Sequence, residues 1–404
     1  MLPKRNFLST RGEKTKNVRF YWLKMKYFHT KIFSAVKALI TGKVTIECDS
    51  IPYEFHHVPM KKILNWLLVE SSLFIKPLKP WGLPTHLMIE PTSICNIKCV
   101  LCPVTKGLKR DSGYMNLELF KKAIDQIGDY VFLVLLWDWG EPFLNPQIYD
   151  MIIYAKQRNI QIVSSTNGHI FARRDYAEKV VRSGIDSLIF AVDGITQQTY
   201  ERYRQGGDLK KVVAGIRNVI EVRKILKLKI PLVNMRFIVA KHNEHEVPKL
   251  KTFAENLGVD LLTIRTLYPF DDGYSRATKT DGSEFIPKNP YYQRFAYIPE
   301  THSRIRRRRN PCKTLWNNPV IHWNGNVCPC TFDPHDKHVL GTLTKDTFKE
   351  IWFGASYRKF RLEFRRNYQS LDLCAECTNA FEGGACSTED IVESHFFPNS
   401  KTIS

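Results

Sequence analysis

The sequence predicts an α/β fold with a parallel sheet, followed by a small cysteine-rich module. Strand-like stretches alternate with helix-length segments between residues 86 and 266, and such alternation argues for a parallel sheet. The ten cysteines are bunched: three lie between Cys95 and Cys102, six between Cys312 and Cys386, and none in the 209 residues between Cys102 and Cys312. The composition, 43% apolar and 25% charged over 404 residues, is that of a globular chain of roughly two to three domains and excludes a disordered or collagen-like one. The longest apolar run, Tyr130 to Trp137, has 8 residues, against about 20 needed to cross a bilayer, which excludes a multi-span membrane protein.

Residues 1–16 read as frayed. Val18 to Ile40 reads as a helix, because Val18, Trp22, Met25, Phe28, Ile32, Val36 and Leu39 recur at three- and four-residue steps. Its lysine-flanked aromatic stripe suits either a membrane interface or the protein's own core. A short strand, Val44 to Cys48, and a second helix, Met60 to Ile75, follow. Pro77, Pro80 and Pro84 mark a linker. The strands of the sheet are then His86–Glu90, Tyr130–Trp137, Ile160–Ser165, Ser187–Val192, Leu232–Ala240 and Leu261–Thr266. Between them lie helices at Leu117–Ile127, Gln147–Arg158, Arg173–Ser183, Leu209–Leu226 and Glu246–Leu257. Six such units make an incomplete α/β barrel or a doubly wound sheet, and periodicity does not choose between them. Residues 268–311 are polar and loop-like. Beyond Cys312 come short strands at Val320–Trp323 and Asn326–Pro329 and a helix from Phe348 to about Phe364. The expected domains are a basic helical extension (1–80), a core (81–270), a substrate-side loop (271–311) and the cysteine-rich module (312–404).

The net charge is +20, of which +8 falls in the first 50 residues. Two further clusters are Arg304, Arg306, Arg307, Arg308 and Arg309, and Arg358, Lys359, Arg361, Arg365 and Arg366. Such a balance favours an anionic partner or is simply a basic solvated surface. Residues 1–20 hold no apolar segment of signal-peptide type, so the expected location is cytoplasmic, with peripheral association at a membrane as an extension of the Val18–Ile40 reading. Without a secretory signal, close-spaced thiols read as metal ligands rather than disulfides.

Cys95-Asn-Ile-Lys-Cys99-Val-Leu-Cys102 has the spacing C-x3-C-x2-C and leaves the C-terminal end of the first strand, the face on which barrel active sites lie. Three thiolates on one loop hold three irons of a [4Fe–4S] cluster and leave the fourth for a chelating small molecule. A zinc site would want a fourth Cys or His close by, and the nearest downstream histidine is His169. Here the sequence resembles the radical S-adenosylmethionine (SAM) superfamily, from about Pro84 to Thr266. Trp139-Gly140-Glu141-Pro142 after the second strand looks like that family's glycine-glycine-glutamate-proline motif, with Trp139 in place of the first glycine. Thr166-Asn167-Gly168 after the third strand matches a threonine-asparagine-glycine signature, and Asp193-Gly194 with Tyr200 to Gly207 resembles the segment that follows the fourth. Leu101 stands where the family usually has an aromatic residue. The resemblance implies a partial (β/α)6 TIM-type barrel, with Cys95, Cys99 and Cys102 on the cluster. It also implies SAM-binding roles for Leu101, Gly140, Glu141, Pro142, Thr166, Asn167, Asp193 and Arg204.

Cys312, twelve residues, Gly325, four residues, Cys330 is similar to the opening of the SPASM pattern, an auxiliary-cluster module, and Cys374-Ala-Glu-Cys377 supplies a C-x2-C pair. The resemblance implies one auxiliary [4Fe–4S] cluster on Cys312, Cys330, Cys374 and Cys377. Cys328 competes with Cys330, and Cys386 is a further candidate. A four-thiolate zinc site would use the same ligands. The whole reads as a radical SAM enzyme that cleaves SAM to a 5′-deoxyadenosyl radical and abstracts hydrogen from a sugar, lipid-linked or phosphorylated small molecule. A flavodoxin or ferredoxin would be its reductant. The alternatives are a peptide maturase, against which residues 1–80 read as poorly hairpin-like, and a zinc-containing nucleic-acid-binding protein, for which no nucleic-acid motif is present.

Overall fold

The computed structural model describes residues 34, 36–268, 282–298, 303–385 and 390–398. Most of the expected Val18–Ile40 helix, and Cys386, lie outside them; residues 36–41 are helical.

β1 (Val44–Cys48) and β2 (Ile51–Phe55) form an antiparallel hairpin. Its turn residues, Asp49 and Ser50, both have positive φ, 54° and 62°, the backbone of a two-residue turn that matches strand twist. This corrects the expectation for the first 80 residues. The period-2 pattern was visible in β1, but Pro52 inside β2 disguised the second strand, since proline is confined to sheet edges. Pro52 is exposed there. α1 (Met60–Ile75) follows.

The six core strands are β3 (His86–Ile89), β4 (Leu133–Leu135), β5 (Gln161–Thr166), β6 (Ser187–Ala191), β7 (Leu232–Val239) and β8 (Leu261–Thr266). They lie side by side in chain order and all are parallel. A doubly wound sheet would reverse its order at a switch point; the unbroken order is that of an open barrel. The crossovers carry α2 (Leu117–Ile127), α3 (Ile148–Lys156), α4 (Arg174–Arg182), α5 (Gln197–Tyr203), α6 (Leu209–Ile225) and α7 (Val247–Leu257).

Alternation along the strands sorts the core into two faces. Leu87, Val134, Ile162, Leu188, Val233 and Leu262 pack with the helices. Met88, Leu133, Val163, Ile189, Leu232 and Leu261 pack instead with Val44, Ile46, Tyr53 and Phe55 of the hairpin. The hairpin therefore plugs the barrel from the end where the strands begin, and Asp49 meets Arg236 of β7 there at 3.0 Å. The opposite mouth is left for chemistry.

Both sheet edges are extended from the C-terminal part of the chain. β9 (Val320–Ile321) adds parallel to β3, and β10 (Asn326–Cys328) and β11 (Gly341–Thr342) continue outward. The last strand, β12 (Ile391–Phe396), adds antiparallel to β8; it has no counterpart in the sequence reading. The single helix expected from Phe348 is two, α8 (Phe348–Phe353) and α9 (Ala355–Asn367). They part at Gly354, whose ψ of 173° leaves the helical region.

Candidate functional site

Each strand delivers a short polar loop at the open mouth. After β3 comes the cysteine loop, after β4 Trp139 to Pro142, after β5 Thr166–Asn167, after β6 Asp193. Cys95, Cys99, Leu101, Cys102, Gly140, Glu141, Thr166, Asn167 and Arg204 line one cavity of about 340 Å³, a size within the usual range for small-molecule sites. Pro142 and Asp193 stand behind its wall, both buried.

The loops are tied to one another. Cys99 and Lys98 pair antiparallel with Arg204 and Gln205, so the cysteine loop is stitched to the end of α5. Gly140 has φ +95°, and a Cβ there would lie 2.4 Å from the Thr92 carbonyl oxygen; only glycine lets the two loops approach so closely. Glu141 is buried, and its carboxylate accepts from the Thr166 hydroxyl at 2.7 Å, the Asn167 N–H at 2.7 Å and the Phe143 N–H at 3.3 Å. Desolvation pushes its pKa up to about 7 even so.

The guanidinium of Arg204 donates to Asp193 at 2.6 Å and reaches the Cys99 sulfur at 3.6 Å. The Asn167 amide points at the Cys95 sulfur, 3.9 Å away. Burial raises all three thiols, Cys95 to about 11 and Cys102 to about 12. Thiols so placed become thiolates when cations bind them, because a bound metal inverts the local charge balance. That three-thiol set, open on the cavity side, fits an iron–sulfur cluster with one iron left accessible.

The second thiol set differs. Cys312, Cys330, Cys374 and Cys377 line one small pocket of about 50 Å³, with Met88, Leu315, Phe364 and Leu373 around them. Burial, then neighbouring thiols, raises Cys330 and Cys374 well above their usual value and Cys377 to about 11. The Asn310 amide donates to the Cys377 sulfur at 3.4 Å. Among the described residues, no histidine lines the pocket. Four thiols around an apolar hollow fit a closed metal centre. Cys328 is elsewhere: its sulfur lies 3.7 Å from His322 Nδ1 and 3.8 Å from Asp336. The chain turns at Pro329, which sends Cys328 and Cys330 to different surroundings.

Between the two sets runs a buried polar network that the sequence reading missed. His322 stands between Asp138 (3.3 Å) and Asp336. Arg110 grips Glu90 with two bonds, 2.6 and 3.0 Å. Asp138 lines the cavity and accepts from the hydroxyl of Thr331, the neighbour of Cys330, while Trp139 donates to the Thr331 carbonyl at 3.1 Å. Also unforeseen on the cavity wall are Arg265, Tyr268, Arg294 and Asp390. For Arg265 a signal existed: it is the one charged residue in the run Leu261–Leu267.

Members of the two basic clusters are engaged in the protein's own contacts, while Arg308, Arg309, Arg358, Lys359, Arg365 and Arg366 stay exposed. Arg304 and Arg306 both pair with Glu376, at 2.8 and 2.6 Å, and stack over Phe381. Arg361 is fully buried, bonded to the Leu315 and Trp352 carbonyls. Their case as a phosphate-binding surface is withdrawn for these residues.

An open barrel with a three-thiol loop at its mouth and a four-thiol module beside it defines an iron–sulfur protein that binds a small cofactor. Residues 89–254 match the family model described as the radical SAM superfamily, and residues 312–378 match SPASM, described as an iron–sulfur cluster-binding domain. The two matches together span more than half of the chain, which belongs to the radical SAM superfamily and carries a SPASM domain. Its cofactors are accordingly SAM, the [4Fe–4S] cluster of the core and auxiliary iron–sulfur chemistry in the SPASM domain. The chain is 25% identical over 328 residues to the tungsten-containing aldehyde ferredoxin oxidoreductase cofactor-modifying protein of Pyrococcus furiosus, covering 74% of this chain and 88% of that protein. It is 23% identical over 311 residues to the mycofactocin maturase of Mycobacterium tuberculosis, covering 73% and 75%. In fold it is similar to Streptococcus suis SuiB bound to S-adenosylmethionine, with a TM-score of 0.55 at 16% identity over 80% of this chain and 77% of that one. No helix among the described residues is long and apolar enough to cross a membrane.

Proposed function

We propose that this enzyme modifies a substrate held in the 340 Å³ cavity, with Cys95, Cys99 and Cys102 as the ligands of the SAM-binding cluster and Cys312, Cys330, Cys374 and Cys377 as those of one auxiliary cluster. The observation that carries the reading is the shared cavity: the three thiols, the loops after β3, β4, β5 and α5, and a face of the SPASM domain (Thr331, Phe332) all line it. When bound, the cluster and SAM would supply one-electron reductive chemistry and hydrogen-atom abstraction from the substrate. The chain's own part is positional. Arg204, fixed by Asp193, and Asn167 place donors beside the sulfurs. Glu141 braces the loop after β4 against that after β5. Leu101 and Trp139 wall the site with apolar surface.

A one-electron donor such as flavodoxin or ferredoxin would supply the reductant. For the substrate we favour a small molecule, because the cavity between the barrel mouth and the SPASM domain is of small-molecule size. A peptide substrate is the second reading, supported by the name of the mycobacterial relative, a maturase. The hairpin removes the earlier objection to it, though the apolar face of that hairpin is already packed into the barrel. The lipid-linked reading rested on Val18–Ile40, most of which lies outside the described residues.

The test is anaerobic reconstitution with iron and sulfide analysis and a dithionite-driven SAM-cleavage assay on one sample. About eight irons and 5′-deoxyadenosine are expected. A protein with zinc in place of iron, and no cleavage, would end the proposal.

A further inference from the structure

The polar network between the two thiol sites contains a third donor set. β9 and β10 pair antiparallel, with Cys328 opposite Val320. His322, two residues past Val320, falls on the same face by strand alternation, diagonal to Cys328. The chain turns at Pro329 and brings Asp336, whose φ of 58° is left-handed, back to the same spot. His322 Nδ1 lies 3.7 Å from the Cys328 sulfur, and that sulfur 3.8 Å from Asp336 Oδ1. Nδ1 and Oδ1 share a hydrogen bond. All three donor atoms lie within 4.8 Å of one another. His322 and Cys328 are fully buried, and the Asp336 side chain is 9% exposed.

These distances fit one ion. Zinc bonds thiolate sulfur at about 2.3 Å and imidazole or carboxylate at about 2.0–2.2 Å in a tetrahedron, so the sulfur stands about 3.6 Å from each of the other two ligands. The surroundings fit as well. A ligating imidazole turns its other nitrogen to a carboxylate, and a ligating carboxylate is itself hydrogen-bonded. His322 Nε2 faces Asp138 Oδ2 at 3.3 Å. Asp336 Oδ2 accepts from the Asn326 amide at 2.7 Å and the Asn324 amide at 3.2 Å, which leaves Oδ1 for the imidazole and the thiol. Glu90, Asp138 and His322 Nε2 also come together on the other side of the ring. That side is the poorer place for a cation, because Arg110 holds both Glu90 oxygens. On the Nδ1 side the guanidinium reaches Asp336 Oδ1 only at 3.6 Å, and its Nε donates to the Pro334 carbonyl at 2.7 Å.

We propose that His322, Cys328 and Asp336 bind a zinc ion, at a third metal site separate from both thiol sets. The ion takes the place of the proton shared by Nδ1 and Oδ1, and the thiol gives up its own. Three protein donors leave the fourth tetrahedral position to water. The mixed sulfur, nitrogen and oxygen set suits zinc, whereas an iron–sulfur cluster is held by thiolates. The role of the ion is positional. It ties β9, β10 and residues 329–336 together and, through His322, fixes the Asp138 carboxylate on the cavity wall. The site stands whether or not the substrate reading holds.

The test measures zinc and iron in the full-length protein, produced with added zinc sulfate, anaerobically reconstituted and dialysed, together with X-ray absorption at the zinc edge. About one zinc per chain is expected beside the cluster iron, with one sulfur at about 2.3 Å and its other ligands nitrogen or oxygen at about 2.0–2.2 Å. Cys328→Ala and Asp336→Asn should each lower retained zinc about tenfold or more and leave iron unchanged. Iron content and circular dichroism report folding of each variant. If Cys328→Ala does not fold, Cys328→Ser, which nearly keeps the shape and loses the thiolate, should lose the zinc in its place. Zinc bound by four sulfurs would put the metal in the pocket of Cys312, Cys330, Cys374 and Cys377 and overturn the proposal. So would no retained zinc, zinc with no sulfur ligand, or equal zinc in the parent and both variants. Iron in the same samples tests the clusters separately: zinc at this site in a protein without iron would uphold the third site and sink the function proposed above.

Discussion

The two thiol sites are made from the same residue type and differ in almost everything else. One has three cysteines within eight positions of the chain and opens on a 340 Å³ cavity. The other gathers four cysteines from 66 positions of sequence around a pocket of about 50 Å³ with apolar walls. A site short of one ligand and facing a cavity can accept a small molecule at the metal; a site with four is coordinatively closed. The difference teaches that reactivity here is set by what the fold leaves out. The open site has the Arg204 and Asn167 side chains pointing donors at its sulfurs, while at the closed one the Asn310 side-chain amide donates to Cys377.

The sharpest way to break this comparison is to remove a thiol from the open site. Cys102→Ala should abolish SAM cleavage, while iron falls only by about half, to about four per chain. Residual 5′-deoxyadenosine production would show that the loop is not the reactive site. The second prediction sharpens the closed site. Cys374→Ala should lose the auxiliary iron yet still cleave SAM, whereas Cys328→Ala should keep about eight irons, since its sulfur faces His322 and Asp336. Iron analysis of the pair decides it; equal loss in both would put Cys328 back among the ligands.

A smaller effect is expected at Glu141. Its pKa in the fold is raised by burial from 4.5 to about 7. A carboxyl raised in the folded state binds its proton more tightly there than in the unfolded chain. Stability at this group is therefore fullest below pH 4.5 and is lost as pH rises towards 7. Recognition of a cationic amine runs the other way, since it needs the carboxylate. SAM affinity of the reconstituted protein should rise between pH 6 and 8, and Glu141→Gln should flatten that rise. An unchanged pH profile in the variant would leave Glu141 as a brace between loops and nothing more.

Legibility in the sequence followed the range of the interactions. β8 (Leu261–Thr266) and α2 (Leu117–Ile127) stand where periodicity puts them, because each is specified by its own neighbours. β4 shrank from Tyr130–Trp137 to Leu133–Leu135, because a run of eight apolar residues marks burial but not which part pairs. β9 and β12 were unreadable as sheet edges: their paired residues in β3 and β8 are 232 and 126–135 positions away. The same holds at the sites. Gly140, Glu141 and the three-cysteine loop are short-range signals that a local motif can carry. Arg265, Arg294 and Asp390 span 125 positions and have no motif.

The sequence alone determined the alternation of strands and helices, the two cysteine sets and the family resemblance, since these are carried by residue types, periodicities and short motifs. Tertiary structure decided the rest. It chose Cys330 over Cys328 as the neighbour of Cys312, Cys374 and Cys377, turned the hairpin into a plug for the closed end of the barrel, and consumed Arg304, Arg306 and Arg361 in internal contacts. The physical reason is common to all three. A side chain's type fixes which bonds it is able to make, but whether it faces a cavity, a partner or water depends on where distant segments bring their own groups.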